Sequence, residues 1–140
     1  MTERRYINDS EMAGEFFVME VLYRLGHQPA LTVGKAKSID ILVRTKGGKL
    51  IEVSVKTVRG GGKWPIGNDE LSERNRLIFV LLHYTDFSNV RTQPDAFVIP
   101  APSVAKLREP WFQSQAVYFS NTKRRDRIKA FKDAWKWFDK

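Results

Sequence analysis

The sequence predicts an α/β (α+β) fold, a mixed central sheet flanked by helices. Three observations carry that expectation. Apolar residues recur at helical spacing near both ends, over residues 10–25 and 123–138. Two β-branched runs, 39–45 and 49–57, flank the pair Gly47-Gly48. The run LIFVLL at 77–82 has no alternation, which suits a strand covered on both faces.

Asp9 or Ser10 can cap the first helix, which runs to about Leu25 and stops at Gly26. At about 100° per residue, Met12, Phe16, Met19, Leu22 and Tyr23 gather on one side, the expected buried face. Glu15 falls among them. A charge inside an apolar stripe is costly unless it is paired, coordinated or able to reach water. Glu15 therefore reads either as an edge carboxylate bridged to a lysine or as part of a site. A short strand is expected at 30–33.

Register decides which residues of the next two strands share a face. A two-residue turn at Gly47-Gly48 would put Asp40 opposite Val55 and mix charge with aliphatics on both faces. A three-residue loop, Lys46-Gly47-Gly48, puts Asp40 opposite Ser54 and Leu42 opposite Glu52. One face then carries Ile39, Ile41, Val43, Ile51, Val53 and Val55. The other gathers Asp40, Leu42, Glu52, Ser54 and Lys56. That polar stripe reads as the wet face of a hairpin or, with Glu15, as a pocket of three carboxylates beside one lysine. Acids that repel one another suit a divalent cation, Mg²⁺ or Mn²⁺, better than a structural ion pair.

Residues 58–75 are polar and glycine-rich, the signature of a long loop with at most a helical turn. Arg59, three glycines, Lys63 and Trp64 follow the lysine strand directly. Their amides and cations suit phosphate, and Trp64 either stacks on a base or packs on the core. A strand is expected at 96–99, a brief helix at 102–108, and a strand or extended link at 117–120. In the last helix Ile128, Phe131, Trp135 and Phe138 form an apolar stripe, for core packing or a dimer contact. Arg125, Lys129, Lys132 and Lys136 form a cationic stripe opposite, and Trp137 lies off the apolar one. His27 and His83 have no metal-pair spacing and read as structural.

A chain of 140 residues with net charge +8 and a pI near 9.9 suits one basic domain. Residues 121–140 hold eight Lys/Arg against three Asp, so the excess is concentrated at one end. Nucleic acid is the first partner such charge attracts. No apolar run reaches the roughly 18 residues of a membrane helix, no signal-peptide core opens the chain, and there is no cysteine. The expectation is a cytoplasmic protein without membrane attachment.

These stretches resemble the PD-(D/E)XK nuclease superfamily, the fold of many restriction endonucleases and Holliday-junction resolvases. The likeness rests on Gly14-Glu15 in a helix ended by Gly26, Ser38-Ile39-Asp40, and Ser54-Val55-Lys56-Thr57, with thirteen residues between Asp40 and Ser54. Trp64-Pro65 and residues 94–100 add to it. The resemblance implies a restriction-endonuclease-like α-β-β-β-α-β core and Mg²⁺-dependent phosphodiester hydrolysis. It further implies that Asp40 is the principal metal ligand, Glu15 the helix acid and Lys56 the lysine. The sequence departs from the pattern at Ser54, where the family has Glu or Asp. Glu52, two residues earlier on the same face, is the candidate replacement. The expected activity is endonuclease-like, on DNA or RNA. The alternatives are a degenerate nuclease fold that binds without cutting, and a homodimeric interaction protein.

Overall fold

The computed structural model describes residues 2–32 and 39–139, with side chains of the first helix described from Asp9. Val33, at the end of the expected first strand, and Ser38, in the resemblance, lie outside those residues. Helix α1 (Thr2–Arg24) starts earlier than Asp9, because no Gly or Pro interrupts residues 2–8. Its end is as expected. Gly26 has φ +93°, and His27 N–H returns to the Leu22 carbonyl in a Schellman-type close.

The buried face of α1 differs from the expected stripe. Ser10, Gly14, Val18 and Leu22, spaced by four, are buried, whereas Met12, Phe16 and Tyr23 are exposed. The physical reason is close approach to the sheet. A Cβ at Gly14 would collide with the Thr57 hydroxyl, so the smallest residues mark the crossing and the bulky ones fall to its flanks.

Next come β1 (Gln28–Leu31), β2 (Ile41–Arg44) and the long β3 (Leu50–Val58). Ile41 pairs with Val53, Leu42 with Glu52 and Val43 with Ile51, the register of the three-residue loop. Gly48 takes φ +92° in that turn. The connection after β3 is not all loop. Lys63–Pro65 forms β4, which joins a second sheet. Then follow β5 (Leu77–His83), parallel to β3, and β6 (Asp95–Pro100), antiparallel to β5. Five strands in the order β1-β2-β3-β5-β6 make the mixed main sheet. The crossover between the parallel strands is β4 with turns, in the place of the implied second helix.

Helix α2 (Ala101–Leu107) and the hairpin β7 (Glu109–Trp111) and β8 (Ser114–Tyr118) complete the second sheet, ordered β4-β8-β7. The short β7 was not expected from the sequence. Helix α3 covers only Thr122–Ile128, followed by 3₁₀ turns at Lys129–Phe131 and Trp135–Asp139. The expected continuous helix breaks at Asp133, whose φ is +53°. There the Asp133 N–H bonds the Ala96 carbonyl, and Lys132 bridges Phe97 on the edge strand β6. An open sheet edge thus takes the backbone from the helix.

Two cores result. Ile41, Val43, Val53, Val55, Ile78, Val80 and Leu82 face α1, Ala134 and Phe138. Leu77, Phe79, Leu81 and Ile99 face Trp64, Val104, Val117 and Ile128. β5 is therefore covered on both sides, as its unalternating sequence predicts. The break in the tail sends Ile128 and Phe138, placed on one stripe by their spacing, to opposite faces of the main sheet. His27, buried beneath the tail, accepts the Lys46 N–H on Nδ1 and sits 3.7 Å from Asp139.

Candidate functional site

The site begins where β2 leaves β3. Asp40 is the last residue to follow the ladder, its N–H donating to the Val53 carbonyl. Ile39 has already turned away, its carbonyl accepting from Thr32 Oγ1 at 2.7 Å. The next strand N–H, that of Val55, donates instead to Asp40 Oδ2 at 2.7 Å. That bond fixes the carboxylate's orientation and leaves Oδ1 as a second acceptor. β3 runs on past this point, carrying Lys56.

Helix α1 crosses the same end of β3. With Gly14 seated against Thr57, the adjacent Glu15 and the preceding turn's Glu11 reach the divergence. Glu11, Glu15, Asp40 and Lys56 line one cavity of about 390 Å³, closed by Val55, Val58 and Pro65. Glu15 is half-buried, and its carboxyl is raised from 4.5 to about 7. Burial is the main cause, followed by the charges of Asp40 and Glu11. Among the described residues Lys56 is in no ion pair with a carboxylate.

Three of the four expected catalytic residues thus come together: Glu15, Asp40 and Lys56. Glu52 does not. It lies at the other end of β3, where Arg74 of the crossover holds its Oε1 at 2.8 Å and its N–H donates to the Arg76 carbonyl. Two residues of strand, roughly 6.5 Å, separate each same-face position. That distance gives Glu52 to the parallel crossover instead of the cavity. Ser54 is fully buried on the face shared with Phe79, and its hydroxyl has no hydrogen-bond partner among the described residues.

The donor set suits a hard cation in part. The negative charge that Asp40 and Glu11 set against Glu15 is of the kind a divalent ion relieves, and Mg²⁺ commonly takes one or two carboxylates plus water. Among the described residues, however, no three acidic or histidine side chains converge closely enough to cage a metal. The residues present fit an ion whose shell is completed by water and phosphate.

The expected nucleic-acid contacts divide. Trp64 is 0% exposed, its Nε1–H donating to the Leu82 carbonyl at 2.9 Å. It is core and unavailable for stacking on a base. Arg59 donates to Ser10 Oγ at 2.7 Å and lies 3.6 Å above the Phe87 ring, tying the loop to α1. Lys63 lies over Trp111 at 5.1 Å. Arg125, Lys129 and Lys132 line a second, larger cavity beside Gly60, Gly61 and Gly62. Glu11 was missed by the sequence reading, although its spacing of four from Glu15 puts both acids on one side of a helix.

Among the described residues no helix is long and apolar enough to cross a membrane. No protein-family model matches the sequence, and no curated protein matches it. Among solved structures, the chain is similar to a bacterial homing endonuclease, I-Ssp6803I, with a TM-score of 0.60 and 14% identity. The likeness covers 91% of this chain and 89% of that one. It is a likeness of fold, and the fold is one that a nuclease has.

Proposed function

We propose that this chain is a divalent-metal-dependent phosphodiesterase acting on nucleic acid, DNA first. The single observation behind this reading is the cavity that unites Glu15, Asp40 and Lys56 from three separate elements. The fold likeness and the charge of +8 support it. We assign Asp40 and Lys56 to the acid and lysine positions of the PD-(D/E)XK pattern.

In this reading Asp40 Oδ1 and Glu15 would hold Mg²⁺ or Mn²⁺. Such an ion, when bound, supplies a Lewis acid at the phosphoryl oxygen and lowers the pKa of water. The chain's own work is positional. The Val55 N–H holds Asp40 Oδ2, so that Oδ1 is presented in one orientation. Gly14 brings Glu15 to the same point. Lys56 orients the attacking water through a donated hydrogen bond and offsets the negative charge that grows on the phosphorane.

A second reading, a fold that grips nucleic acid without cutting it, is favoured by the fate of the third acid. Ser54 is neutral and buried, and Glu52 is held by Arg74. Incubation of supercoiled and branched DNA with Mg²⁺ or Mn²⁺ separates the two. The nuclease reading expects nicking that chelation, Asp40→Asn and Lys56→Met each abolish. Nicking that persists in both variants would reject it, and binding without any nicking would establish the second reading.

A further inference from the structure

The larger cavity, about 670 Å³, has a composition different from that of the acidic one. Its floor is aromatic. The Phe119 ring lies 4.7 Å from His83 and 4.3 Å from Trp64, and Phe97 stands edge-on to Trp64 at 5.6 Å. Trp64 is buried beneath, so the half-buried rings of Phe97 and Phe119 rest on a rigid base. The rim is cationic. Arg125 and Lys129 come from α3 and the turn after it, and Lys132 is pinned there by its bridge to Phe97. Asp95 lies 3.4 Å from Lys132 and Asp126 3.8 Å from Lys129, both exposed pairs, while Arg125 donates to the Phe119 carbonyl and the Thr122 hydroxyl; three cations against two carboxylates leave the rim positive. The third wall is glycine backbone. Gly61 and Gly62 take φ of +83° and +71°, and a Cβ at Gly62 would press on Ser120, so this wall stays free of side chains.

Apolar rings below, cations at the edge and a volume of several hundred Å³ match a flat, π-bearing, anionic group of nucleotide size. A base stacked in a duplex cannot enter a concavity of this kind; it must be unpaired or extruded. The glycine wall continues β3, whose Lys56, Thr57 and Val58 line the acidic cavity, with only Arg59 between. We propose that this cavity receives an unpaired nucleotide of a nucleic-acid strand that runs on to the acidic cavity. The inference rests on the reading of the chain as one that acts on nucleic acid, and it directs that activity toward single-stranded or distorted substrates.

The test is fluorescence anisotropy in EDTA with a labelled single strand of about 10 nucleotides. The base-bearing strand binds about tenfold more tightly than an abasic strand of equal length and charge, the size expected for stacking. A blunt duplex binds no better than the abasic strand. The double variant Arg125→Gln/Lys129→Gln, at exposed positions, weakens strand binding and lowers its salt dependence. Equal affinity for abasic and base-bearing strands would overturn the proposal, as would unchanged binding by the double variant. A free nucleoside monophosphate that displaces the strand at equal concentration would overturn the assignment to a strand. No metal is present in this assay, so its outcome is separable from cleavage. A protein that discriminates bases and never cuts defeats the nuclease reading alone; one that cuts without discriminating defeats the pocket alone.

Discussion

In the proposed reading Asp40 serves two ends with one carboxylate, and its substitutions should separate them. Its Oδ2 satisfies the half-buried Val55 N–H, so Asp40→Ala leaves that donor unpaired and costs about 1–3 kcal/mol. Asp40→Asn keeps an acceptor oxygen and should unfold within a few tenths of a kcal/mol of the parent, while any cleavage is lost. Urea melts of both variants check this. Ser54 makes the complementary case. Ser54→Asp supplies the acid that the PD-(D/E)XK pattern has at this place but buries a charge beside Phe79, so the expected result is a marked drop in unfolding midpoint without gain of cleavage. Glu15 carries a pH signature. Its carboxyl is raised from 4.5 to about 7, so the folded state holds the proton more tightly than the unfolded one. The resulting stabilisation is complete below pH 4.5 and is lost as pH rises to about 7. In chelator, the stability of the parent relative to Glu15→Gln should fall across that window; a constant difference would contradict the assignment. Burial lowers the pKa of His27 and acts in the opposite sense, withdrawing stability as pH falls below 6.5, and it cancels in this comparison.

At the scale of elements, the crossing of α1 over β3 controls the site. Gly14 is the contact point, and Gly14→Ala drives a methyl into the Thr57 hydroxyl and Leu82. Overpacking of this kind costs about 1–3 kcal/mol and lifts the helix. Glu15, the next residue, should then leave Asp40, so the raised pKa falls back toward 4.5; titration of the Glu15 carboxyl by NMR reads this directly. The hairpin of β2 and β3 was legible in the sequence, register included, because alternation and turn chemistry are local. The helix face was not. Counting apolar residues selected Met12, Phe16 and Tyr23, whereas close approach selects small residues, and only the partner surface reveals that distance. The final helix failed for a related reason. Its periodic stripe is genuine, yet the free edge of β6 competes for the backbone at Asp133.

For the whole molecule, the positive charge is uneven, and part of it is already spent. Arg124 and Arg127 clamp Glu109, joining α3 to β7, while Arg74 holds Glu52. Arg125, Lys129 and Lys132 line the larger cavity, where Lys129 and Lys132 make only exposed pairs, with Asp126 and Asp95. What the sequence by itself determined was the α+β class, the five strands of the main sheet in chain order, the register that gathers Asp40 with the Lys56 strand, and the basic excess near its end. Each follows from residue type and short-range spacing. What only the tertiary structure decided was the membership of the sites: Glu52 withdrawn to Arg74, Trp64 drawn into the core, Glu11 added, and an aromatic floor set beneath the cations of the broken tail. Those outcomes depend on which distant segments compete for the same side chain or backbone group, and such competition has no local signature.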